Sequence, residues 1–151
     1  MKQLTFCLLL ALAFVGSSLA QSRISKIPNG LVDQIQNDIG DCMNYYEGGK
    51  KELLTYLTAK TIDLNNDKQV EYIVEGEDMG KCISGNKFHS IWVYRKTKSG
   101  FEMILGSSST RITVLKTSTK GYKNIKETSV DGRDTYTRTY KFDGSKYQPD
   151  R

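Results

Sequence analysis

Between Asp63 and Glu71 the chain reads Asp-Leu-Asn-Asn-Asp-Lys-Gln-Val-Glu. Counted from Asp63, side-chain oxygens fall at positions 1, 3, 5 and 9 (Asp63, Asn65, Asp67, Glu71), and position 7 offers the backbone carbonyl of Gln69. Such alternation can fold around one hard cation, and three carboxylates with an amide carbonyl suit calcium better than zinc. An EF-hand would need a bidentate glutamate at position 12, which is Val74, and the residues that follow have the character of a strand. The expected site is therefore a calcium loop opening a strand, with Asp63, Asn65, Asp67, Gln69 and Glu71 as metal ligands.

Other chemistry finds less support. His89 is the single histidine, so neither a serine-histidine-aspartate set nor a zinc cluster can be assembled around several imidazoles. No phosphate-cradling glycine loop is present. Glu71, Glu75 and Glu77 recur at even spacing, and acid pairs can hydrolyse glycosides, but a metal ligand with two solvated carboxylates is the plainer assignment. His89 shares a strand face with Ile91 and Val93, which points to a half-buried structural role. No catalytic residue is expected.

Residues 1–20 read as a secretory signal peptide: Lys2, the apolar run from Leu4 to Val15, and the small-x-small site Ser18-Leu19-Ala20. Cys7 lies inside that run, leaving Cys42 and Cys82, which in an exported protein default to one disulfide. No later stretch approaches the ~18 apolar residues of a spanning helix. The expected location is secreted or periplasmic.

The formal charge of +5 is unevenly spread. Asp63, Asp67, Glu71, Glu75, Glu77 and Asp78 cluster early against Lys68 alone, whereas residues 111–151 hold ten Lys or Arg against five acids. Lys116, Lys120, Lys123 and Lys126 fall on two neighbouring strands. A basic half of this kind attracts anionic polymers or simply solvates the surface.

The elements that must position these groups are legible from periodicity. Residues 21–29 form a flexible lead-in. Pro28-Asn29-Gly30 marks a helix start, with Asn29 as the cap and Asp33 in the first turn. Leu31, Ile35, Ile39, Cys42 and Met43 recur at helical spacing, and Glu47 to Lys50 ends the helix. From Leu54 the period becomes two. Strands are expected at Tyr56–Ile62, Val70–Glu75, Phe88–Arg95, Phe101–Leu105, Arg111–Lys116, Tyr122–Glu127, Thr135–Phe142 and around Lys146-Tyr147, joined by tight turns at Gly100, Gly121, Asp131-Gly132 and Asp143-Gly144. Short connections imply an antiparallel meander. The fold class is α+β: an N-terminal helix packed on a meander of about six to eight strands with one disulfide, all within a single domain over 30–151. Phe88, Trp92 and Tyr94 share one strand face, as do Tyr136, Tyr140 and Phe142. Both sets suit core packing, with an exposed platform for sugars or bases as the sharper alternative.

The loop followed by Glu71-Tyr72-Ile73-Val74 resembles the calcium loops of FG-GAP and VCBS repeats, the integrin-type propeller blades. More of the chain, over about 61–147, is similar to small exported proteins that carry one such loop. After the loop these have a cysteine, a tryptophan-tyrosine strand (Ile91 to Tyr94), Gly-aromatic strands (Gly100-Phe101, Gly121-Tyr122) and a closing Phe-Asp-Gly-x-x-Tyr (Phe142 to Tyr147). The chain is too short for a ring of blades. The resemblance implies the same five ligands and possible calcium binding, and it implies no particular activity. It also marks a departure: the repeats carry glycine at position 6, where this chain has Lys68, so a lysine must take positive φ and place a cation beside the metal. The expected function is an exported, non-enzymatic binding or interaction module with a weak structural calcium site, contacting an unknown protein or an anionic envelope polymer, with no specific nucleic acid. The alternative is a metal-dependent hydrolase of an anionic polymer.

Overall fold

A computed structural model describes residues 22–24, 26–78, 80–85 and 87–150; the expected signal segment lies outside them. Among the described residues nine strands form two antiparallel sheets. The first runs β1 (Ser22–Ile24), β2 (Leu57–Ile62), β3 (Glu71–Gly76), β4 (His89–Thr97), β5 (Gly100–Ser109) in spatial order; the second runs β6 (Arg111–Thr119), β7 (Tyr122–Asp131), β8 (Asp134–Phe142), β9 (Tyr147–Pro149). From β2 to β5 and from β6 to β9 consecutive strands pair as a meander, whereas the helical segments lie between β1 and β2. The meander divides at Thr110, the single residue between β5 and β6. Its N–H donates to the Thr128 carbonyl and its hydroxyl accepts the Val130 N–H, so the chain is already paired in the second sheet one residue after leaving the first.

Helix α1 (Asn29–Ile39), a 3-10 segment (Gly40–Tyr45) and helix α2 (Gly49–Thr55) cover one face of the first sheet. Leu31, Val32, Ile35 and Leu53 bury there against Val74, Trp92 and Tyr94. The opposite face of that sheet supplies Ile62, Ile73, Ile91 and Val93 to a second core, closed by Ile125, Tyr140, Phe142 and Tyr147 of the second sheet. Three layers result, with the first sheet buried on both sides. Gly76 of β3 lies beneath Ile83 and Trp92: an added Cβ would stand 2.9 Å from one and 3.0 Å from the other.

The expected helix is present but ends at Ile39, short of the expected break at Glu47 to Lys50, so that Cys42 and Met43 lie in the 3-10 segment; the eight expected strands are present, and four further features differ. The lead-in is not loose throughout, because Ser22–Ile24 pairs with Ala59–Thr61 as an edge strand and Ile27 enters the core. Asn29 is the first helical residue and makes no cap hydrogen bond; the Pro28 carbonyl instead accepts from Leu31 and Val32. The stretch from Gly49 to Thr55, expected to end a helix and begin a strand, forms α2. Finally, Tyr136 is 61% exposed although Tyr140 and Phe142 on the same strand face are buried.

Cys42 and Cys82 form the expected disulfide, with Cα atoms 5.6 Å apart. It ties the 3-10 segment to the loop after β3. No helix among the described residues is long and apolar enough to cross a membrane.

Candidate functional site

The acidic segment closes the β2–β3 hairpin, whose last pair is Ile62 with Glu71. Asn66 and Lys68 take positive φ, 61° and 69°. That conformation turns the backbone inward and lets the side chains cap it. Asp63 Oδ2 accepts the Lys68 N–H at 3.0 Å, Asn65 Oδ1 the Asp67 N–H at 3.1 Å, and Asp67 Oδ1 the Gln69 N–H at 2.7 Å. Glu71 Oε2 accepts the Leu64 N–H at 2.8 Å. One oxygen each of Asp63, Asp67 and Glu71 is thus committed to the loop's own backbone.

The second oxygens are less well served. Among the described residues, Asp63 Oδ1 is buried without a hydrogen-bond partner, and Asp67 Oδ2 meets only the amide of Asn65. Glu71 is 3% exposed at the edge of the inter-sheet core. Burial raises its pKa to about 7, helped by the charges of Asp67 and Asp63 and opposed by the Leu64 N–H. Unpaired buried oxygen and mutual repulsion among three carboxylates are conditions that a bound cation relieves. The donor set, oxygen throughout, fits a hard cation. Even so, no three carboxylate, histidine or cysteine side chains among the described residues stand ready as a metal cage, and Gln69 could contribute only its carbonyl.

A cation already touches the loop. Lys123 of β7, 7% exposed, donates from Nζ to the Asp63 carbonyl at 2.7 Å and to Asn66 Oδ1 at 3.0 Å. Its N–H donates to the Leu64 carbonyl, and its own carbonyl accepts the Tyr147 hydroxyl at 2.7 Å. With Leu64 fully buried in the inter-sheet core, the loop is fastened to the second sheet through three hydrogen bonds from one lysine. Lys123 therefore belongs to the loop and not to the basic surface in which the sequence places it.

Two further polar sites escape a sequence scan. Asp78, fully buried, accepts from the Tyr46 hydroxyl at 2.6 Å, from the N–H groups of Cys82, Ile83 and Ser84, and from the Ser84 hydroxyl. Burial alone would raise its pKa; these donors outweigh burial and hold the carboxyl well below the usual range. It shapes the disulfide-bearing loop. His89 is half-buried, with Nδ1 3.5 Å from the Glu77 carboxylate, at the end of the first sheet.

The second site is a polar groove of about 260 Å³ where β7 and β8 meet the end of β5. Glu127, Ser129, Tyr136 and Arg138 line it, with Ser108. Ser107 donates to Glu127 Oε1 at 3.0 Å, while Glu127 Oε2 is buried without a partner. Burial raises the pKa of the Tyr140 hydroxyl, the adjacent Glu127 carboxylate acting as acceptor adds to the rise and Arg138 opposes it, while the contact falls outside hydrogen-bond geometry at Glu127 Oε2. A second groove of similar size lies between β5 and β9, lined by Met103, Leu105, Gly106, Gln148 and Pro149 among others. Neither groove is lined by a residue of the acidic loop.

No family model matches the chain, and no curated protein or solved structure matches it either.

Proposed function

We propose that the chain is an exported, non-enzymatic binding module in which the Asp63–Glu71 loop is a structural calcium site fastening the β2–β3 hairpin to the second sheet. The observation that carries this reading is the buried, unpartnered Asp63 Oδ1 in a loop clamped by Lys123. The loop's backbone, with positive φ at Asn66 and Lys68, agrees with the resemblance to FG-GAP and VCBS repeats. Lys68 lies opposite to what that resemblance asks for, so affinity should fall at the weak extracellular end, Kd ~0.1–1 mM. The disulfide suits an oxidising compartment, secreted or periplasmic.

Partner contact is assigned to the outer face of the second sheet. Lys126 pairs with Thr113 and Thr139, and Arg111 with Thr128, on the side opposite Ile125 and Tyr140. Lys141 shares that face and is neutralised in part by Asp150 at 2.9 Å. An anionic envelope polymer is the partner such a face would attract. Hydrolysis is the less supported reading, because the candidate metal loop lines neither groove.

The test applies the protein to an anionic resin such as heparin and to an envelope preparation, in millimolar calcium, and then sizes the recovered polymer. Retention at ~50 mM salt that collapses by ~300 mM, is weakened by Lys126→Glu, and leaves polymer length unchanged is the expected result. Calcium-dependent shortening of the polymer would establish the hydrolase instead.

A further inference from the structure

The inner face of β7 and β8 changes character along its length. Ile125 and Tyr140, paired across the two strands, are buried beneath the first sheet. Two pairs further on, Ser129 stands opposite Tyr136, and Tyr136 is 61% exposed. The first sheet therefore leaves this end of the hairpin uncovered. Between the two pairs lies Glu127 opposite Arg138.

Three features coincide there. The groove has room for about one sugar ring, at about 260 Å³. An aromatic ring stands free beside it. A carboxylate oxygen of Glu127 is buried without a donor, an arrangement that carries a desolvation cost until a donor arrives. A solvated strand end would satisfy that oxygen with water and would have no reason to hold a tyrosine ring in the open. The charges of Glu127 and Arg138 oppose each other in register, so the groove presents an acceptor and a donor fork with no net field. A phosphate or an ammonium gains little from such a pair, whereas vicinal hydroxyls match it. Ser108 and Ser129 extend the polar lining, and the apolar face of a pyranose suits an aromatic ring.

We propose that this uncovered end of the inter-sheet space binds one hydroxylated sugar ring of a neutral glycan, stacked on Tyr136 and hydrogen-bonded to Glu127 and Arg138. The inference rests on the chain's being a binding module and adds a second contact to the basic outer face.

The experiment titrates the isotope-labelled protein, with its disulfide intact, with maltohexaose, cellohexaose and chitohexaose up to about 10 mM, following backbone amides by NMR. With at least one of the three, shifts should centre on 107–109, 127–129 and 136–138. Tyr136→Ala should weaken that binding roughly tenfold or more, and Glu127→Gln measurably, while Tyr136→Phe retains it. Because Tyr136 is exposed, its replacement leaves the fold intact, which the unchanged remainder of the spectrum verifies. No shifts with any of the three, shifts centred elsewhere, or equal affinity in Tyr136→Ala would overturn the proposal. A parallel arm repeats the heparin and envelope retention. Retention by wild type without glycan binding would remove this site and leave the binding module standing, and neither retention nor glycan binding would remove both.

Discussion

Lys123 shows how one side chain can join parts of the chain far apart in sequence. It is 7% exposed, and its ammonium spans the Asp63 carbonyl and the Asn66 amide. Lys123→Met keeps the apolar stem and removes the charge. It should cost about 1–3 kcal/mol, read as a lowered urea midpoint, because the loop loses two charge-assisted bonds beside three carboxylates. A change below ~0.5 kcal/mol would mean that the lysine is only a filler. Asp78 makes a different prediction. Its folded pKa is depressed, so its stabilisation is complete above its ordinary value of 3.8 and drains away as the pH falls below that. Urea midpoints measured from about pH 6 to pH 2 should fall on the acid side. Asp78→Asn should start from a lower plateau, having exchanged one of its two acceptor oxygens for a donor among the Tyr46, Cys82, Ile83 and Ser84 donors, and should show a shallower acid decline. At this scale the sequence is a partial guide. The oxygen spacing of 63–71 is visible as a local pattern, whereas Lys123 reaches the loop from 60 residues away and looks like any other surface lysine. Asp78 is hidden similarly, since its donors come from a loop whose course the local pattern does not specify.

The elements show where periodicity succeeds and where it fails. The Leu31–Ile35–Ile39 stripe forms α1, and the turns at Gly121, Gly132 and Gly144 fall at positive φ as the strand spacing requires. Helix α2 was not legible, because Gly48-Gly49 signals a break and seven residues carry too few apolar positions to show a helical period. The Gly76 contact was equally invisible, since nothing local shows that Ile83 and Trp92 cross above it. Gly76→Ala should cost about 1–3 kcal/mol by overpacking, detectable as a lowered melting temperature. The disulfide closes a loop of sequence separation 40, worth ~4 kcal/mol in the chain-entropy model. Replacing Cys42 and Cys82 together by serine should lower stability by up to that amount. Hydrogen exchange should show the loss concentrated in the helical layer and the 80–85 loop, with the β7–β8 ladder least affected. Uniform loss throughout would mean that the bridge acts on the whole fold at once.

For the whole molecule, eight of the nine strands and their order could be read from the sequence, whereas the edge strand β1 and the division into two sheets could not. The run Gly106-Ser107-Ser108-Ser109 reads as a loop, yet it continues β5 to within one residue of β6, so the change of sheet carries no turn signal. The face of each strand follows from alternation, but that the first sheet is buried on both sides depends on a second sheet whose placement is a tertiary fact. At this scale we propose that the loop draws on calcium to hold the two sheets together. At about ten times Kd, calcium should add ~1.4 kcal/mol, on the order of 5 °C in melting temperature for a domain of this size. The decisive measurement is a set of melting curves in EGTA and in millimolar calcium for wild type, Asp67→Ala and Lys68→Gly. Wild type should gain those degrees and Asp67→Ala none, while Lys68→Gly, in which glycine takes the positive φ without strain and the competing charge is gone, melts higher throughout and gains more from calcium because that charge is absent. Identical melting with and without calcium in both wild type and Lys68→Gly would contradict the account, leaving the loop an ordinary turn.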